Sequence, residues 1–226
     1  VEEENKKDGP VIYSASWISS NFITYDSQKV IADYGTRYTL KSLERSRQAS
    51  TFDNLKTTPE NERMLEILKS SFVMPPPLDE SLASELSEIS TGLEAMYGAG
   101  EHCYEDGSCY DLEAFESIID NSRNPEELLK AWNGWHEIGK PMKPMYMRMV
   151  EIGNKGSKDL GYDGLSDLWF SKYDMPAEDF LYETDRVWEE VKPLYDALHC
   201  HVRAKLNEHY GDEVVPDSGT LPVHLL

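Results

Sequence analysis

The feature that most constrains this chain is an apolar stripe at helical spacing. Between about Pro176 and Tyr210, the residues Phe180, Val187, Val191, Leu194, Leu198, Val202 and Leu206 recur at steps of mostly three, four or a multiple. Such a recurrence lines apolar side chains along one face of a long α-helix. It predicts one element over 176–210, ended by Gly211. A helix with such a face gains most of its stability by packing it, so this one needs something to pack against.

The same periodicity runs through most of the chain. Val30, Ile31, Tyr34, Tyr38, Leu40 and Leu43 predict a helix over 28–50. A second helix, over 59–73, opens on Pro59, a residue tolerated in the first turn, and is stopped by Pro75-Pro76-Pro77. Asp79 or Ser81 caps a third, carrying Leu82, Leu86, Ile89, Leu93 and Met96 and ending at Gly98 and Gly100. Asp111 opens a short helix through Phe115 and Ile119. Asn124-Pro125-Glu126-Glu127 places a capping side chain, a proline at the first helical position and acids at the positive helix end. Pro141 and Pro144 interrupt that helix, which resumes to Ile152. Residues 11–24 read equally as strand or helix, and the segment after Gly211 reads as extended. With no internal repeat or low-complexity linker, the prediction is an all-α fold, residues 1–226 forming a single helical region.

Composition narrows the partners. Forty-two acids against 22 bases give a net charge of −20. Phosphate backbones and anionic lipid surfaces both require clustered Lys and Arg, so nucleic acid and membrane-surface partners are disfavoured. No apolar run approaches the ~20 residues that span a bilayer. Thirteen Tyr and five Trp supply the apolar mass that disordered acidic chains lack. A negative cleft in such a chain attracts the cationic or amino-terminal groups of a ligand.

Motifs narrow the chemistry. No His-Glu-x-x-His occurs, nor a Gly-x-Ser-x-Gly elbow or a Walker A phosphate loop. Of the six histidines, His199 and His201 stand two apart, which points them to different sides of a helix. No catalytic residue and no metal ligand is therefore assigned within the chain. Cys103 and Cys109 bracket Tyr-Glu-Asp-Gly-Ser, with the turn-forming Asp106-Gly107 at its middle. They stand either as two thiols or as a small disulfide loop contributing roughly 2–3 kcal/mol. Cys200 is left over, and reads as a buried or half-buried thiol. Glu94 and Glu113 lie on either side of the cysteine loop. They are either ordinary exposed helix charges or two acids on one wall, able to hold a cationic side chain.

The stretch Glu94-Ala-Met-Tyr-Gly-Ala-Gly-Glu-His-Cys103-Tyr-Glu-Asp-Gly-Ser-Cys109-Tyr-Asp-Leu-Glu113 resembles the angiotensin-converting enzyme family of zinc dipeptidyl carboxypeptidases. So do Ser122 through Trp132, Gly139-Lys140, Pro193-Leu194-Tyr195 and Leu198-His199-Cys200-His201-Val202-Arg203. The tail Leu221-Pro222-Val223-His224-Leu225-Leu226 is similar to the family's Pro-x-His-Leu-Leu, which runs on into Gly-Asn-Met-Trp. The resemblance implies a two-lobed helical peptidase with a deep cleft, of which this is the N-terminal portion. Residues 1–73 would be lid helices and 79–226 cleft wall. It implies a zinc ion whose ligands lie beyond Leu226, oligopeptide substrates that lose a C-terminal dipeptide, and an extracellular or periplasmic setting. It pairs Cys103 with Cys109, makes Glu94 and Glu113 substrate-binding, and sets Tyr210 beside a chloride site whose arginine would come from the absent half. One departure is Phe170, which follows Trp169 where many chloride-dependent members have Arg.

Two functions follow as expectations. The first is the N-terminal portion of a zinc-dependent dipeptidyl carboxypeptidase, inactive by itself and completed by a C-terminal catalytic half. The second is a non-catalytic binding or scaffold protein that retains only the lid half.

Overall fold

A computed structural model describes residues 2–226. In chain order it contains α1 (Glu2–Asn21), α2 (Tyr25–Ser50), α3 (Pro59–Ser70), α4 (Glu80–Gly98), β1 (Glu101–Cys103), β2 (Cys109–Asp111), α5 (Leu112–Asn121), α6 (Pro125–Gly139), α7 (Lys143–Asp159), α8 (Leu165–Phe170) and α9 (Ala177–Tyr210). Short 3-10 turns occupy Lys140–Met142 and Val223–Leu225. The fold is all-α apart from one two-stranded hairpin.

Local chemistry sets most of the starts. Thr24 caps α2 with a reciprocal box: its Oγ1 accepts from the Ser27 amide at 3.1 Å, and Ser27 Oγ accepts from the Thr24 amide at 3.1 Å. Asp79 accepts from the Ser81 amide (3.0 Å) at the head of α4, and Asp111 from the Ala114 amide (2.8 Å) at the head of α5. Asn124 accepts from the amides of Glu126 (2.9 Å) and Glu127 (3.3 Å) and is followed by Pro125. The segment 11–24, undecided by pattern, is helical through Asn21, with Pro10 inside the helix. Helix α8 carried too short a pattern to be foreseen.

The chain groups into two compact units. The first runs to Ala99 and resumes over Pro141–Ala177. Leu43, Phe72 and Leu168 form one of its cores, with Leu160 and Tyr162 packed against them. The prolines that end the α3 region are themselves buried: Pro75, Pro76 and Pro77 are all fully enclosed. A proline run suits such a place because it brings no amide donors that would need partners. Gly156 of α7 admits it, since a Cβ there would collide with the Pro75 carbonyl. Arg148 of α7 clamps Glu85 of α4 with two bonds, at 2.7 and 2.9 Å. The hydrogen-bonding guanidinium holds that carboxyl below its ordinary pKa.

The second unit comprises Gly100–Lys140 and Glu178–Leu226. Phe115, Ala131 and Ile138 form one core, joined by Tyr104 and Tyr110 from the hairpin. Leu128, Val215 and Leu225 form another, joined by Leu206 and Tyr210. The tail, expected to be extended, turns back instead. Gly211, at φ 81°, ends α9 in the left-handed region and reverses the chain. Asn207 then donates to the Val215 carbonyl at 2.8 Å, and Val215 is fully buried.

The long helix is where pattern and packing part. The 34 residues of α9 include none that is buried. Its stripe is present but uncovered, with Leu194 72% and Leu198 57% exposed. Only its last turns enter a core, through Leu206 and Tyr210. Among the described residues, no helix is long and apolar enough to cross a membrane.

Candidate functional site

The cysteine loop is a hairpin built to hold the head of α5. In it Glu101 pairs with Asp111, His102 with Tyr110 and Cys103 with Cys109. Gly107, at φ 84°, makes the turn, and Asp106 accepts from the Ser108 amide at 2.9 Å. Cys103 and Cys109 are joined by a disulfide. Tyr104 donates its hydroxyl to the Lys130 carbonyl (2.7 Å), and its ring lies under the Lys130 ammonium at 4.0 Å. Burial, the largest cause, pushes the Tyr104 phenol above its ordinary pKa.

Asp111 is at once the last residue of β2 and the cap of α5. Glu113 therefore follows the hairpin by two residues, in the first turn of the helix. It is exposed, and Phe115, two residues on, is completely buried. The positive end of the helix favours the Glu113 carboxylate. The hairpin, the cap and the Phe115 anchor thus present one acid to solvent from a fixed base.

Glu94 belongs to the first unit. It is exposed, next to the buried Leu93 of α4, and lines a cavity of about 450 Å³ between α1, α2 and α4. Glu113 belongs to the second unit, so each acid has a setting of its own.

Tyr210 is half-buried and stacks edge-on with His209, their rings 4.6 Å apart. It lines a cavity of about 390 Å³ together with Arg123, His209 and His224. Arg123 is the residue that sequence reasoning missed. Its guanidinium donates to the carbonyls of Asp120 (3.1 Å) and Ser122 (2.6 Å) at the end of α5, and it lines the same cavity as Tyr210. The only signal for it was its place just after that helix, where cations complement the last carbonyls. Desolvation lowers the His224 pKa from its ordinary 6.5.

Cys200 corrects its expectation, since the thiol is free and exposed. It lies two residues past Leu198, on the side of α9 opposite the apolar stripe. That is the side of Lys192 and Asp196, which pair at 2.6 Å.

The zinc implied by resemblance was tested against the donors present. Among the described residues, the one group of potential ligands that gathers is Glu101, Cys103 and Cys109. Both sulfurs are spent in the disulfide, so neither supplies the thiolate a metal needs. These residues do not fit a zinc ion.

Comparison with known proteins identifies relatives of the chain. A sequence model of the peptidase M2 family, described as angiotensin-converting enzyme, matches residues 1–226. Mouse angiotensin-converting enzyme is 31% identical over 219 residues, covering 94% of this chain and 16% of that protein. The mouse angiotensin-converting enzyme-like protein Ace3 is 33% identical over 166 residues, covering 73% of this chain and 22% of that protein. The angiotensin-converting enzyme of Theromyzon tessulatum is 30% identical over 223 residues, covering 89% and 36%. The chain thus spans well under half the length of these relatives. A match to the family along its whole length places the chain in the angiotensin-converting enzyme family of peptidases.

Proposed function

We propose that this chain is the lid and cleft wall of a zinc-dependent dipeptidyl carboxypeptidase. Residues 1–73 serve as lid and 79–226 as wall, and the substrates are oligopeptides with a free C-terminus. The observation that carries this reading is the family match along all 226 residues. Zinc ligands come from polypeptide outside this chain, and that catalytic portion is also the partner that covers the α9 stripe. The setting is extracellular or periplasmic, in keeping with an exposed disulfide.

The task of this chain is to hold substrate. Glu113, carried on the hairpin-anchored end of α5, supplies a negative contact for a cationic side chain, and Glu94 supplies another from α4. A chloride ion at Tyr210 is part of the same reading. It is supported by Arg123 and the two imidazoles that share the tyrosine's cavity.

The test is kinetic and uses the intact natural protein. Glu113→Gln is compared with wild type on a peptide with Lys beside the scissile bond and on its norleucine counterpart. The expected result is a kcat/KM loss of about five- to tenfold for the Lys peptide alone, the worth of one partly solvated ion pair. An unchanged Lys-to-norleucine ratio removes Glu113 from the site.

A further inference from the structure

The cavity beside Glu94 has a chemistry of its own. Its volume of about 450 Å³ lies in the range of small-ligand pockets, roughly 300–1,000 Å³. Ile12 and Tyr13 of α1, Ile31 and Tyr38 of α2, and Leu86 of α4 give it an apolar and aromatic wall. Glu94 is the only charged residue in its lining, which contains no Lys or Arg. Two of its hydroxyls are already committed as donors to carbonyls of their own helices. Thr39 Oγ1 donates to the Gly35 carbonyl at 2.6 Å, and Thr91 Oγ1 to the Ser87 carbonyl at 3.0 Å. Each has one proton, so both offer only lone pairs to an occupant. The hydroxyls of Tyr13, Ser16, Tyr38 and Ser87 in the same wall can donate or accept, so the feature that singles out a ligand is the lone carboxylate in an otherwise uncharged lining.

A ligand that matches one carboxylate in an apolar and aromatic wall carries positive charge and brings an apolar body. We propose that this cavity binds a primary ammonium group attached to an aromatic or aliphatic body, with Glu94 as its counter-ion. The ammonium is a pure donor and pairs with the carboxylate, and the hydroxyl oxygens of the wall are further acceptors. The body lies along Ile31 and Leu86, in the wall that Tyr13 and Tyr38 share. The inference deepens the reading of Glu94 as a ligand contact and does not depend on hydrolysis, because every lining residue belongs to the first unit.

The test is calorimetric titration of the intact protein at 0.15 M salt with 2-phenylethylamine and, separately, with 2-phenylethanol. The amine is expected to bind about fivefold tighter than the alcohol. Glu94→Gln removes that difference, whereas Glu62→Gln, at an exposed acid on α3, leaves it. Gly35→Leu fills the cavity and weakens both ligands, with circular dichroism confirming the fold. A Cβ at Gly35 meets only Ser87 Oγ, at 3.9 Å, so that position has room for a side chain. Three results overturn the proposal: no amine binding, equal binding by Glu94→Gln and wild type, or an equal loss in Glu62→Gln, which marks general attraction to an acidic surface. Dipeptide release, measured separately, reports on the peptidase reading and not on this site.

Discussion

Single residues carry more of this fold than their conservative chemistry suggests. Phe115 is completely enclosed by Tyr104, Tyr110 and α6, and it anchors the turn that carries Glu113. Phe115→Ala should cost about 3–5 kcal/mol in urea unfolding, through lost burial and the cavity left behind. Gly156 is needed for its missing Cβ, since the Pro75 carbonyl occupies that space. Gly156→Ala should destabilise the first unit by about 2–3 kcal/mol, because buried backbone cannot swing aside as a side chain does. His224 gives a pH signature. Burial lowers its pKa from 6.5, so the unfolded chain takes up the proton first as pH falls. Stability is intact above 6.5, declines from there towards the lower folded value, and then levels. Thermal unfolding from pH 7.5 to 5 should show this slope in wild type and a shallower one in His224→Gln.

Among elements, the hairpin matters most. Two three-residue strands are marginal without support, and here the cross-strand disulfide and Tyr104 supply it. Replacing both Cys103 and Cys109 by Ser should cost about 2 kcal/mol, the loop-closure term for so short a ring, read as a lower denaturant midpoint. Much at this scale was legible in the sequence. Asp79, Asp111 and Asn124 all accept hydrogen bonds from the first turns of their helices, because capping depends on near neighbours alone. What could not be read depends on distant partners. Residues 11–24 carry no clear period, and packing against α2 decides for helix. The tail turns back because Asn207 and Arg203 bind its carbonyls, a contact that no local pattern announces. Cys200 was misjudged for a related reason: a small apolar residue looks buried, but no residue of α9 is buried and nothing local in the sequence shows that its middle turns stay uncovered. Of the candidate site, the pairing of Cys103 with Cys109 was legible through the family resemblance, whereas the cavities beside Glu94 and Tyr210 were not.

At the scale of the molecule, the uncovered face of α9 is an unsolved burial problem. Val187, Val191, Leu194 and Leu198 are between 45% and 72% exposed, which is an unusual fate for a continuous apolar stripe. In the 226-residue chain, replacing Leu194 and Leu198 together by Glu should shift stability by less than about 0.5 kcal/mol while lowering hydrophobic-dye binding. The same pair in the natural protein should abolish activity by blocking the seat of the catalytic portion. Unfolding of the shorter chain by these changes would show instead that the stripe is already packed. The account rests on a division of labour in which this chain holds peptide and the reacting centre is encoded elsewhere. Its most direct test is dipeptide release from an unfolded oligopeptide by the natural gene product, followed by mass spectrometry with and without a zinc chelator. The account predicts C-terminal dipeptides that vanish with the chelator, and none from the 226-residue chain alone. Release by that chain alone, or none from the natural product, would contradict it.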